Sequence, residues 1–146
     1  MSILIGLHIK KVLEQNPDVV RRVGNRIYPL VIPQGVETYP FICYDMTGGT
    51  GEQTKDGVFD DVATVNVSVI AKTYEEAIII GNAVRYSFEG VTAKYERFEV
   101  TECSNVTYND EYVEAIDAYA MNLSMDFRTV DYERYFNKVA SRYKAI

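Results

Sequence analysis

At Lys72-Thr73 the apolar pattern of this chain changes period. Upstream, Ala63, Val65, Val67, Val69 and Ala71 alternate with Val62, Thr64, Asn66, Ser68 and Ile70. That period of two belongs to a strand with one wholly apolar face and one mixed face. Downstream, Ala77, Ile80, Gly81, Val84 and Phe88 recur at helical spacing. Thr73 and Glu76 stand at capping-box spacing, hydroxyl to the N3 amide and carboxylate back to the N-cap amide. Gly90 falls where helices commonly stop. The sequence therefore predicts a strand that passes into a helix with almost no loop, each covering the other's apolar stripe. That pair, within residues 60–90, is the expected core.

The remaining elements are arranged around it. Residues 3–15 carry Ile5, Leu7, His8, Ile9, Val12 and Leu13 on a helical stripe, with Lys10, Lys11 and Glu14 on the other side. Asn16-Pro17 stops that helix, and residues 18–23 read as one further turn before Gly24-Asn25. Residues 26–33 are extended, but Pro29 and Pro33 confine them to a sheet edge or a strapping loop. A short strand over 41–47 precedes a polar, glycine-rich stretch, 48–57, read as a long hairpin loop. Strands follow over 95–107 and 115–127, with a turn at Asn109-Asp110. On the second strand Tyr119, Met121, Leu123, Met125 and Phe127 alternate with Ala118, Ala120, Asn122, Ser124 and Asp126. A short amphipathic helix is expected over 131–139. The reading is one domain over 1–146, an α+β fold with a mostly antiparallel β-sheet and helices packed on one face. The open face is then polar, with Thr64, Asn66, Ser68, Asn122, Ser124 and Asp126 in its row.

Size and charge narrow the function. A chain of 146 residues buries about 68–70% of its unfolded surface, so its core needs no metal or disulfide. Cys43 and Cys103 fall in strands and read as buried reduced thiols, which fits a cytoplasmic origin. No apolar run approaches the roughly 18 residues of a membrane span, and the N-terminus lacks the basic region of a signal peptide. Without one, the sequons at Asn66, Asn105 and Asn122 read as coincidence. The net charge of −6 and pI near 4.8 argue against a protein that grips nucleic acid, which needs clustered cations.

Motifs for catalysis are weak. The 48–57 stretch lacks P-loop spacing, and Thr54 stands where a dinucleotide fingerprint needs its third glycine. His8 is the one histidine and reads as a core or boundary residue. Asp60-Asp61 and Glu75-Glu76 could in principle hold a divalent cation, but neighbouring acids on a strand point to opposite faces, and Glu76 is explained by capping. No catalytic, cofactor-binding or metal residue is assigned. Twelve tyrosines leave two readings open: filling for a core without tryptophan, or interface contacts.

Several segments together resemble a known family. Val23-Gly24-Asn25-Arg26-Ile27-Tyr28-Pro29, Pro33-Gln34-Gly35 followed by Tyr39-Pro40-Phe41-Ile42, Asp56-Gly57 before Val65-Asn66-Val67-Ser68-Val69, and Thr73-Tyr74-Glu75-Glu76-Ala77 match its order and spacing. The chain resembles the tail-completion, or tail-to-head-joining, proteins of long-tailed bacteriophages and prophages, which are similar in fold to tail terminators. The resemblance covers about residues 3–128, and the extension from 128 to 146 has no counterpart in it. It implies a non-enzymatic structural subunit, without cofactor or membrane, that forms a ring, commonly a hexamer. The implied ring sits at the head-proximal end of the tail tube and meets the tail-tube and head-connector proteins. DNA would pass through without specific binding, favoured by the acidic balance. The implied location is the virion, after assembly in the bacterial cytoplasm. Two alternatives stand beside this: a small phosphate- or metal-dependent enzyme built on 48–61, and an adaptor for a host protein. Ring contacts join two different patches. The expected ones are Lys55, Asp56 and Phe59 on the loop, and the helix face near Lys10 and Lys11.

Overall fold

The computed structural model describes residues 2–30, 38–53 and 59–131. A short 3-10 turn, Ser2–Leu4, leads into α1 (Ile5–Gln15) and α2 (Pro17–Val23). The strands are β1 (Ile27–Pro29), β2 (Phe41–Gln53), β3 (Phe59–Ala71), β4 (Ala93–Lys94), β5 (Phe98–Val113) and β6 (Ala118–Asp131), with α3 (Tyr74–Phe88) between β3 and β4. They form one sheet in the order β1-β2-β3-β6-β5-β4. The short edge strand β1 runs parallel to β2, and every other pairing is antiparallel. The expected α+β fold, mostly antiparallel with helices on one face, is the fold found.

The period change at Lys72-Thr73 does what its residues dictate. Thr73 Oγ1 accepts from the Glu76 amide at 3.2 Å and starts α3, and Gly90 adopts φ 75° just past its end. The β3 row Ala63, Val65, Val67, Val69 and Ala71 is fully buried beneath the helices, with Ile80, Val84 and Phe88 of α3 and Ile5, Ile9 and Leu13 of α1. Gly81 is the point of closest approach. A Cβ there would lie 2.6 Å from Met121 Cγ and 3.2 Å from Met121 Cβ. Asn16 joins the helices: its Oδ1 accepts from the Asp18 amide at 2.9 Å and caps α2, while its Nδ2 donates to Ser87 Oγ on α3. Pro17 opens α2, where its missing N–H costs nothing. Arg26, in the segment that carries the family resemblance, donates to the carbonyls of Pro40 at 2.9 Å and Arg22 at 3.2 Å. It ties the end of α2 to the entry of β2.

Four expectations need correction. The strand expected over 41–47 runs on to Gln53, with a register shift between Met46 and Gly48. Residues 48–53 are therefore paired strand, not loop; only 54–58 separate β2 from β3. Gly51 serves this pairing, since a Cβ there would lie 2.7 Å from the Asp61 carboxylate across the ladder. Asn109-Asp110 is not a turn. Both pair with β6, β5 continues to Val113, and the reversal comes at 114–117, where Asp117 takes φ 47°. The strands expected over 95–107 and 115–127 are accordingly Phe98–Val113 and Ala118–Asp131. The open face is also not polar along its whole length: Phe41, Ile70, Ala118 and Ala120 are buried there in a second apolar cluster, flanked by Tyr28, Tyr39 and Val113. The expected helix over 131–139 lies outside the described residues except for Asp131, which ends β6.

Two substitutions test this packing. Val67→Asp puts an unpaired charge into a site with no solvent exposure and should lower stability by about 3 kcal/mol or more. Gly81→Ala gains about 0.5–1 kcal/mol of helix propensity but overpacks against Met121, a cost of about 1–3 kcal/mol. A net loss of stability in denaturant unfolding is expected for it. A stabilised Gly81→Ala variant would mean that α3 sits farther from β6.

Candidate assembly surfaces

On the open face, cross-strand pairing aligns short polar side chains into three hydrogen-bonded groups. Asn66 Nδ2 donates to Asp45 Oδ1 at 2.8 Å and to Thr47 Oγ1. Thr64 Oγ1 donates to Asp126 Oδ1 at 2.6 Å, and Asn105 Nδ2 donates to the other oxygen of that carboxylate at 2.9 Å. Ser68 Oγ donates to Asn122 Oδ1 at 2.7 Å, and Asn122 Nδ2 donates to Glu111 Oε1 at 3.1 Å. The face holds a shallow polar depression of about 510 Å³ between β3, β6 and β5. Each of the three sequon asparagines spends its carboxamide N–H within one of these groups. Their members partner one another, so the face presents a hydrated and partly acidic surface.

On the helical side His8 and Cys103 are held inside the core. His8 is fully buried and packs edge-on against Phe88, Tyr95 and Phe127. Its Nδ1 lies 2.6 Å from the Tyr95 hydroxyl, and its Nε2 has no partner among the described residues. Burial lowers its pKa from 6.5 to about 4, so the ring stays neutral at pH 7, as befits a core histidine. Cys103 is buried and its thiol is pushed up to about 12, first by burial and then by the nearby Glu89, Asp126 and Glu102. Cys43 is half-buried and shifted the same way by burial and Asp45. Both thiols are free. Among the described residues no three histidine, cysteine or acidic side chains gather into a metal site. The enzyme alternative loses the loop it relied on over 48–53, because those residues are strand. Asp61 is buried on the helix face, opposite Thr129.

The predicted interface residues are placed as follows. Lys10 and Lys11 are exposed on α1; Lys10 stands 4.0 Å from Glu14, and Lys11 lies 5.2 Å from the Tyr95 ring centre. Phe59 is the first residue of β3. Lys55 and Asp56 lie outside the described residues.

The surface that sequence reasoning did not assemble is made by tyrosines. Beyond the register shift between Ser104 and Thr107, β5 and β6 continue as a hairpin arm beside α3. Tyr108 and Tyr112 project from the arm and are 62% and 51% exposed, and Tyr74 at the start of α3 is 45% exposed. Tyr74 donates to Asp110 at 2.6 Å and Tyr112 donates to Asp117. These hydrogen bonds, the first cause in each case, raise both phenol pKa values. Tyr119 bridges the two rings, at 5.9 Å from Tyr74 and 5.2 Å from Tyr112. Arg85, held by Glu89 at 2.6 Å, lies 5.1 Å from the centre of Tyr108. Among the described tyrosines Tyr44 is buried in the main core and Tyr95 packs against it, so filling of that core accounts for two of them. The signal for the arm was the recurrence of Tyr108, Tyr112 and Tyr119, which the Asn109-Asp110 pair concealed.

No protein-family model matches this sequence, and no curated protein matches it either. Among solved structures, the chain is similar in fold to a chain of the virion of a native gene transfer agent particle. The two align with a TM-score of 0.68 at 17% identity, over 84% of this chain and 91% of the other.

The buried His8 makes a test in acid. The unfolded chain binds a proton at this ring below pH 6.5, the folded chain only below about 4. Stability contributed by the neutral ring is therefore complete above pH 6.5 and falls as pH drops toward 4. Between pH 7.5 and 5.0 the protein should lose about 2 kcal/mol more than a His8→Leu variant in urea unfolding. Equal losses would place the ring in contact with water.

Proposed function

We propose that this chain is a non-enzymatic structural protein of a phage or phage-like virion, acting in tail completion. In this reading it forms a ring at the head-proximal end of the tail tube and joins tube to head connector. The observation that carries it is the fold shared over 84% of the chain with a component of a gene transfer agent virion. The segments that resemble tail-completion proteins support the finer assignment, and Arg26 supplies a physical role for one of them. The net charge of −6 suits a channel that DNA crosses without sticking. The open face, with its self-satisfied amides and carboxylates, suits contact with water or DNA backbone at a distance rather than a small ligand. The proposed subunit contacts are those reasoned from sequence: Lys10 and Lys11 on one side, and Lys55, Asp56 and Phe59 of the 48–59 segment on the other. Assembly takes place in the bacterial cytoplasm and ends in the virion, with no cofactor.

The test is genetic and visual. Deletion of the gene from a producing strain should leave filled heads and tails that are not joined, seen by electron microscopy. Wild-type protein in trans should restore joining. A Lys10→Glu, Lys11→Glu double variant with an unchanged circular dichroism spectrum should restore it at least tenfold less well. Normally joined particles from the deletion strain would end the tail-completion reading.

A further inference from the structure

α1 has little to keep it helical on its own. Its start has no side-chain cap, its first turn no acid and its last turn no base, so nothing complements the helix ends. Gly6 lies in its first turn, and Ile5, Ile9 and Val12 are β-branched. α3, by contrast, is capped by Thr73 and carries Glu75 and Glu76 in its first turn and Arg85 in its last. α1 is helical because it is docked, through the buried Ile5, His8, Ile9 and Leu13.

Of these four side chains only His8 can acquire a charge. Uncharged rings from three other elements wall it in: Phe88 of α3, Tyr95 between β4 and β5, and Phe127 of β6. The charged side chain over this group is Lys11 of α1, a second cation, 5.2 Å from the centre of the Tyr95 ring. Burial alone lowers the pKa of His8, and no charged neighbour contributes. A neutral ring can leave one nitrogen as a bare acceptor, but a protonated ring carries N–H on both. The Tyr95 hydroxyl can serve Nδ1, whereas Nε2 becomes a buried donor with no acceptor among the described residues.

We infer that α1 is an acid-released latch: a proton on His8 detaches this helix while α3 and the sheet stay folded. The undocked ring binds a proton below pH 6.5 and the docked ring only below about 4, so falling pH favours release throughout that window. Lys10 and Lys11 lie on α1, so release would also withdraw the subunit contact proposed above. The latch itself needs no partner and does not depend on that reading.

Hydrogen exchange of the full-length chain, followed residue by residue and corrected for the intrinsic effect of pH, tests this. Between pH 7.0 and 4.5 the protection of amides 9–15 should fall at least about tenfold more than that of amides 77–88. His8→Leu should abolish that excess. Gly6→Ala keeps the core unchanged, since its Cβ meets nothing within 4 Å. It should raise the protection of amides 9–15 by about three- to fivefold, without a matching rise in α3, and leave the acid-dependent excess in place. Equal falls in α1 and α3 would mean that acid acts on the whole fold and would overturn the inference. So would an excess that survives in His8→Leu, or a Gly6→Ala chain that protects α1 no better.

Discussion

The close approach of α3 to the sheet is the contact on which the rest depends. Gly81 lets the helix come down on Met121 and Leu123 of β6. The β3 row from Ala63 to Ala71 then loses all contact with water. Burying apolar area of this kind is the main favourable term in folding. Because β3 and α3 are joined by only two residues, Lys72 and Thr73, the capped start of α3 fixes the direction in which the helix returns over the sheet. The first two helices then close the same face, with Asn16 hydrogen-bonded to Ser87 and His8 among Phe88, Tyr95 and Phe127.

Placing every described helix on one face leaves the other face and the strand ends for contacts outside the subunit. The open face satisfies its own polar groups along most of its length and is apolar only where Phe41, Ile70, Ala118 and Ala120 meet. The arm beside α3 carries the exposed Tyr108 and Tyr112, with Tyr74 at the start of the helix. That division suits the proposed structural role, in which shape, charge and repeated contact would serve in place of a substrate cleft.

Much of this was legible in the residues, because period and capping are local. The β3 alternation, the Thr73 cap, the stop at Asn16-Pro17 and the edge position of the Pro29 segment all depend on neighbours within a few positions. The errors arose where pairing overrode local preference. Gly48, Gly49 and Gly51 look like loop residues alone, yet the β3 ladder holds them in a strand, and Asp61 needs the space that Gly51 leaves. Asn109 and Asp110 look like a turn, yet Asn122 and Met121 of β6 hold them extended. The tyrosine arm was invisible for the same reason: its members come from α3, β5 and β6, and only tertiary structure brings Tyr74 to Asp110.

The central claim is that the folding core and the contact surface are separate parts of one sheet. Native-state hydrogen exchange on the isolated chain tests it most directly. Amides of 63–71 and 121–129 should exchange slowest, through global unfolding, while those of 107–113 on the arm open at distinctly lower free energy. Arm amides as protected as those of β3 would contradict the account and make the arm part of the core.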